Sequence, residues 1–107
     1  MSTSTDRTAK LRAMFQKNPA DPFLVYALGM EHKKTDPPEA IKLFEQAIQL
    51  DANQSYAYFQ LGQTHEMIQN LPAARTAYER GMAAASRSGD SHARQEIEAA
   101  LDALGPS

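Results

Sequence analysis

Ala40-Ile41-Lys42-Leu43-Phe44-Glu45-Gln46-Ala47-Ile48 returns 34 positions later as Ala74-Arg75-Thr76-Ala77-Tyr78-Glu79-Arg80-Gly81-Met82, small residue over small and aromatic over aromatic. Upstream of each copy, Leu28-Gly29-Met30-Glu31-His32 returns as Leu61-Gly62-Gln63-Thr64-His65 at a spacing of 33. The one-residue difference belongs in a connecting turn. Both segments read as helix, so the repeating unit is a helical hairpin, and a period of this size is the signature of an array that stacks. One hairpin cannot bury its apolar face alone, and about three units are the usual minimum for a stable array. The small residues have a packing reason: Gly29, Gly62, Ala40, Ala74, Ala47 and Gly81 let helix axes approach, while Leu28, Leu61, Phe44 and Tyr78 fill the space between them.

Outward from this stretch, the punctuation is regular. Residues 1–4 are expected to be a mobile tail, followed by a single helical domain over residues 5–107. Thr5 or Asp6 can cap a first helix with Leu11, Met14 and Phe15 on one face, ending before Pro19. Asp21 before Pro22 caps a helix in which Leu24, Val25, Leu28 and His32 face one way and Tyr26, Met30 and Lys33 another. Asp36 and Pro37 start the next helix, with Glu39 placed to close a capping box. A polar turn at Asp51 to Asn53 precedes a helix from about Gln54 to Gln69, and Asn70 caps another that runs to the serines and Gly89. Asp90 or Ser91 then starts an amphipathic helix with Ala93, Ile97, Ala100, Leu101 and Leu104 on one side. The fold class is all-α: antiparallel hairpins with full repeats over residues 22–53 and 54–87, a half repeat before them, and a capping helix over 90–104.

With 42% apolar and 22% charged residues the composition is globular. Eleven Lys and Arg against thirteen acids, a net charge of −2, argue against a surface that tracks phosphates, so no nucleic acid is expected. The longest apolar run, Phe23 to Met30, is too short for a bilayer, and residues 1–10 lack a signal-peptide core; no membrane is expected. The absence of cysteine suits a reducing compartment, and a cytoplasmic location is expected.

Tyr58, Leu61, Gly62 and His65, followed by Ala74 and Tyr78, resemble the tetratricopeptide repeat, whose pattern is an aromatic, two residues, Leu-Gly, two residues, Tyr, then Ala, three residues, an aromatic and a closing Pro. Ser86 stands where that Pro would be. In the first copy Leu28, Gly29, Ala40, Phe44 and Ala47 match, while Val25, His32 and Ala52 replace the aromatic, the Tyr and the Pro. The resemblance implies an α-α superhelix that serves as a non-catalytic scaffold for protein binding, with one side of each repeat's first helix lining a concave groove. The residues on that side are Phe23, Tyr26, Met30 and Lys33, matched by Tyr56, Phe59, Gln63 and Glu66 at the same offsets, with Met67 beside them. Either this row is an open groove for a peptide or partner helix, or the flanking helices lie over it, or its residues pack partly into the core.

The other candidates for chemistry are weaker. His32 and His65 occupy matching positions, but a metal site needs three or four ligands and no third ligand with a supporting spacing accompanies them; packed rings are the simpler reading. His92 reads as a surface residue. No nucleophile motif or phosphate loop is present, so neither an enzyme nor a cofactor is expected. The expected state is a monomer or weak homodimer, and self-assembly through the apolar surface or the stack end is the alternative function. One branch of the family grips acidic tails with Lys, Asn and Arg; at the corresponding places stand Tyr26, Met30 and Gln60. An apolar or aromatic partner segment, bound with little salt dependence, is therefore expected.

Overall fold

A computed structural model describes residues 3–106, with side chains from residue 6 onward. Six helices follow in order: α1 (Thr3–Lys17), α2 (Pro22–His32), α3 (Pro37–Leu50), α4 (Ser55–Met67), α5 (Leu71–Ser88) and α6 (Ser91–Ala103). Among the described residues there is no strand. Residues 1 and 2 of the expected tail lie outside the described residues, as does the Thr5 side chain as a possible cap, and α1 is already helical at Thr3.

Local chemistry sets most helix starts. The carboxylates of Asp21, Asp36 and Asp90 accept from the backbone N–H of Phe23, Glu39 and Ala93, and the Asn70 amide oxygen accepts from Ala73. Each cap satisfies one of the donors that a helix start leaves unpaired. The capping box at Asp36 is not completed in its reciprocal form, because the Asp36 N–H donates instead to the His32 carbonyl at 2.8 Å. α4 stops at Met67, short of the expected Gln69, since Gln69 adopts a positive φ of 62° to make the turn. α5 ends where Gly89 takes φ 70°, a left-handed conformation that costs glycine no steric penalty.

Helices α2 with α3 and α4 with α5 form antiparallel hairpins; α1 packs on α2, α3 abuts α4, and α6 packs on α5 and α4. Polar bridges mark two layers. Lys33 of α2 reaches Gln60 and Gln63 of α4, and Arg80 of α5 pairs with Glu45 of α3 at 3.1 Å while lying over the Tyr58 ring. The extents of 43 × 28 × 19 Å are those of a short stack rather than a sphere.

Two apolar clusters run along the stack. The larger holds Val25, Leu28, Ala40, Leu43, Phe44, Ala47, Ile48, Ala57, Tyr58 and Leu61 with Leu11 and Phe15 against it; the other joins Ala74 and Tyr78 to Ile97. Phe44 and Tyr78 are fully buried, each contributing about 1.5–3 kcal/mol or more through burial. Their rings fit because the facing positions are glycine. A Cβ built on Gly29 would come within 2.6 Å of the Phe44 ring, and one on Gly62 would overlap the Tyr78 ring. At Gly81 it would meet Tyr58 Cβ at 2.8 Å and Ile97 at 3.0 Å. Met14 departs from expectation. It is 50% exposed, and Phe15 packs beside Leu11 in its place, because α1 has α2 as its main neighbour and turns Leu11 and Phe15 toward it.

A candidate protein-binding face on α2 and α4

Side chains of α2 divide between two sides, as its neighbours require. Leu24, Val25, Leu28 and Gly29 are buried toward α3 and the stack. On the other side Phe23 is 66% exposed and Met30 40%, and neither flanking helix covers them. Tyr26 is half-buried between the two sides, its ring centroid 5.8 Å from that of Phe44. Burial holds its phenol above the ordinary value; the nearby Tyr56 adds to this, and a hydrogen bond with Gln60 opposes it.

Lys33 closes this face at the end of α2. Its Nζ donates to Gln60 Oε1 and Gln63 Oε1, both at 2.7 Å, tying α2 to α4 across the layer. Among the described residues no carboxylate lies within ion-pairing distance of it. Desolvation lowers its pKa, and the adjacent Lys34 lowers it further.

The matching row on α4 is more enclosed. Tyr56 is half-buried, and desolvation, followed by the carboxylates of Glu96 on α6 and of Asp90 that caps it, raises its pKa. Phe59 packs into the second cluster beside Leu101 of α6, 6.2 Å from the Tyr78 ring. Glu66 accepts a hydrogen bond from the Tyr78 hydroxyl, and burial, then Glu66, pushes that phenol well up. Met67 remains 46% exposed. The structure therefore sets Phe23, Met30, Lys33 and Gln63 together on an accessible face, draws Phe59 and Glu66 partly into the packing of α5 and α6, and leaves Tyr26 and Tyr56 half-buried between.

Two features escaped sequence reasoning. Gln60 joins the row as an acceptor for Lys33, a role that no spacing rule reveals. At the far end, Leu71, Pro72, Arg75, Thr76, Leu104 and Pro106 line a shallow pocket, with Arg75 donating to the Gly105 carbonyl. Its residues come from the start of α5 and the chain beyond α6, which only folding brings together.

The histidines have separate surroundings. His32 Nε2 accepts from Arg12 Nη2 at 2.8 Å, His92 pairs with Glu96 on the surface, and His65 Nδ1 is buried without a hydrogen-bond partner. Desolvation lowers the pKa of His65, with Glu45 partly opposing it. No group of three or more His, Cys, Asp or Glu among the described residues could hold a metal ion, and none of the helices is long and apolar enough to cross a membrane.

Comparison with known proteins agrees with this architecture. The tetratricopeptide repeat sequence profile matches residues 43–76, from the middle of α3 into α5. No curated protein gives a significant match. Among solved structures, a tetratricopeptide repeat domain protein from Salinibacter ruber is 31% identical, with a TM-score of 0.75 over 81% of this chain and 89% of that one. A protein from Bordetella parapertussis is 28% identical, with a TM-score of 0.79 over 91% and 85%. PcrH, solved in complex with the chaperone binding region of PopD, shares the fold at 16% identity, with a TM-score of 0.87 over 94% and 77%. The repeat in the sequence, the stacked hairpins and the Salinibacter relative agree that this chain belongs to the tetratricopeptide repeat family, whose fold is in general that of protein–protein interaction modules.

Proposed function

We propose that this chain is a non-catalytic binding module that receives a peptide or partner helix on the face of α2 and α4. The observation that carries the reading is Phe23, 66% exposed on a helix that buries Leu24, Val25 and Leu28 on its other side, with Met30 also exposed two turns along the same side as Phe23. A large apolar surface left facing water has a use when a partner covers it. That PcrH, of the same fold, was solved with a segment of PopD supports a peptide-sized occupant. The row of Tyr26, Met30 and Gln60 favours an apolar or aromatic segment over an acidic tail, and the scattered cations give nucleic acid no track. The absence of cysteine suits work in the cytoplasm.

Fluorescence anisotropy with an amphipathic helical peptide and with an acidic tail peptide, at low and high salt, tests the reading. Tighter capture of the amphipathic peptide, lost in Phe23→Ala, is expected. Light scattering over a range of concentrations should show a monomer. A concentration-linked dimer abolished by Phe23→Ala would transfer the face to self-assembly. The outer side of α6 carries exposed Arg94, Gln95, Glu98 and Asp102, which makes that end of the stack a poor dimer surface.

A further inference from the structure

Lys33 is the one cation of the proposed face, and among the described residues no carboxylate lies within ion-pairing distance of it. Its ammonium group is partly buried, and both acceptors it has found, Gln60 Oε1 and Gln63 Oε1, are neutral amides. An ammonium carries three donors, and two of Lys33's are met by these amide oxygens, which leaves one able to meet a partner. The exposed Lys34 beside it adds positive charge, while the nearest acid in the parallel row, Glu66, is engaged by Tyr78. Desolvation without a counter-charge is unfavourable, and a carboxylate arriving with a partner would offset it.

We infer that the partner is an amphipathic helix that places one internal Asp or Glu side chain on Lys33 while two apolar side chains cover Phe23 and Met30. The inference rests on the binding face proposed above and adds the partner's chemistry and spacing. Phe23, Met30 and Lys33 stand at offsets 0, 7 and 10 on α2. At about 1.5 Å rise per residue the apolar pair is roughly 10 Å apart and the ammonium roughly 5 Å beyond Met30. A helix lying parallel to α2 meets these points with apolar residues at i and i+7 and an acid at i+10. An antiparallel helix meets them with the acid at i−3. A single charge pair keeps the salt dependence of binding shallow, in line with an otherwise apolar contact.

A display library of helical peptides about four turns long, randomised along one face, is selected separately on the wild-type protein, Lys33→Gln, Lys33→Arg and Phe23→Ala. Binders of the wild type should carry an acid at i+10 or i−3 relative to an apolar pair seven apart. Lys33→Arg should retain that enrichment and Lys33→Gln lose it. Replacing the acid by its amide in a selected peptide should weaken binding to the wild type about tenfold and to Lys33→Gln hardly at all. Binders that need Phe23 but carry no acid at either spacing, or an acid whose effect persists in Lys33→Gln, would overturn the inference and leave the binding face standing. Binders indifferent to Phe23→Ala would overturn the binding face and the inference with it.

Discussion

A methyl group placed on Gly62 should force α4 and α5 apart within the second repeat. The Cβ of Gly62→Ala would lie 2.5 Å from Tyr78 Cδ1 and 2.7 Å from its Cζ, below the 3.0 Å that real Cβ contacts respect. The Tyr78 ring is fully buried, backed by Phe59, and its hydroxyl is held by Glu66, so it has little room to retreat. Overpacking of this kind costs about 3 kcal/mol at the upper end of its usual range. Removing a glycine from a helix interior gains about 1 kcal/mol, leaving a net loss of about 2 kcal/mol. For a domain of this size that lowers Tm by roughly 10 °C. Urea denaturation of Gly62→Ala, Tyr78→Leu and the double variant would measure both the loss and its origin. With the ring gone, the same methyl should be neutral or stabilise by up to about 1 kcal/mol, a coupling of about 2–3 kcal/mol between the two positions. If Gly62→Ala raised the urea midpoint in the wild-type background, or cost the same with and without the Tyr78 ring, the proposed contact between α4 and α5 would be wrong.

Three further outcomes are expected. Ala74 is fully buried between α5 and its neighbours, so Ala74→Leu should cost about 1–3 kcal/mol in urea unfolding, while Ala83→Leu, exposed on the same helix, should cost little. The pKa of His65 is depressed in the folded chain below its ordinary 6.5, so the unfolded chain binds more protons as pH falls through that value. Stability should therefore drop from pH 7.5 toward pH 5, and His65→Phe should show a shallower pH dependence of its urea midpoint. Deleting residues 90–107 would uncover Tyr78, Phe59 and Met82, the surface that Ile97, Leu101 and Leu104 now cover. Losing a few hundred Å² of apolar burial, at roughly 25 cal/mol per Å², removes several kcal/mol, and the truncated chain should melt earlier and self-associate in sedimentation.

The sequence alone determined the repeat, the six helices and most of their starts, because those features depend on short-range chemistry. The caps at Asp21, Asp36, Asn70 and Asp90 each bond within three residues, and Gly89 satisfies its own backbone requirement. That Gly29 and Gly62 mark close helix approaches and that Phe44 and Tyr78 fill the space between helices was legible too, since each recurs in both units; which ring lies on which glycine came from the fold. Only the tertiary structure decided that Phe15 rather than Met14 packs, because that choice is a rotation of α1 set by where α2 lies. The face shows the same division. Its residues could be placed on one side of two helices, yet the exposure of Phe23, the sharing of Phe59 with α6 and the capture of Glu66 by Tyr78 followed from how the hairpins stack. Lys33 meets Gln60 and Gln63 across 27 and 30 residues of chain. Such contacts depend on the offset between neighbouring hairpins, a quantity that side-chain volumes throughout the core set jointly and that no local pattern encodes.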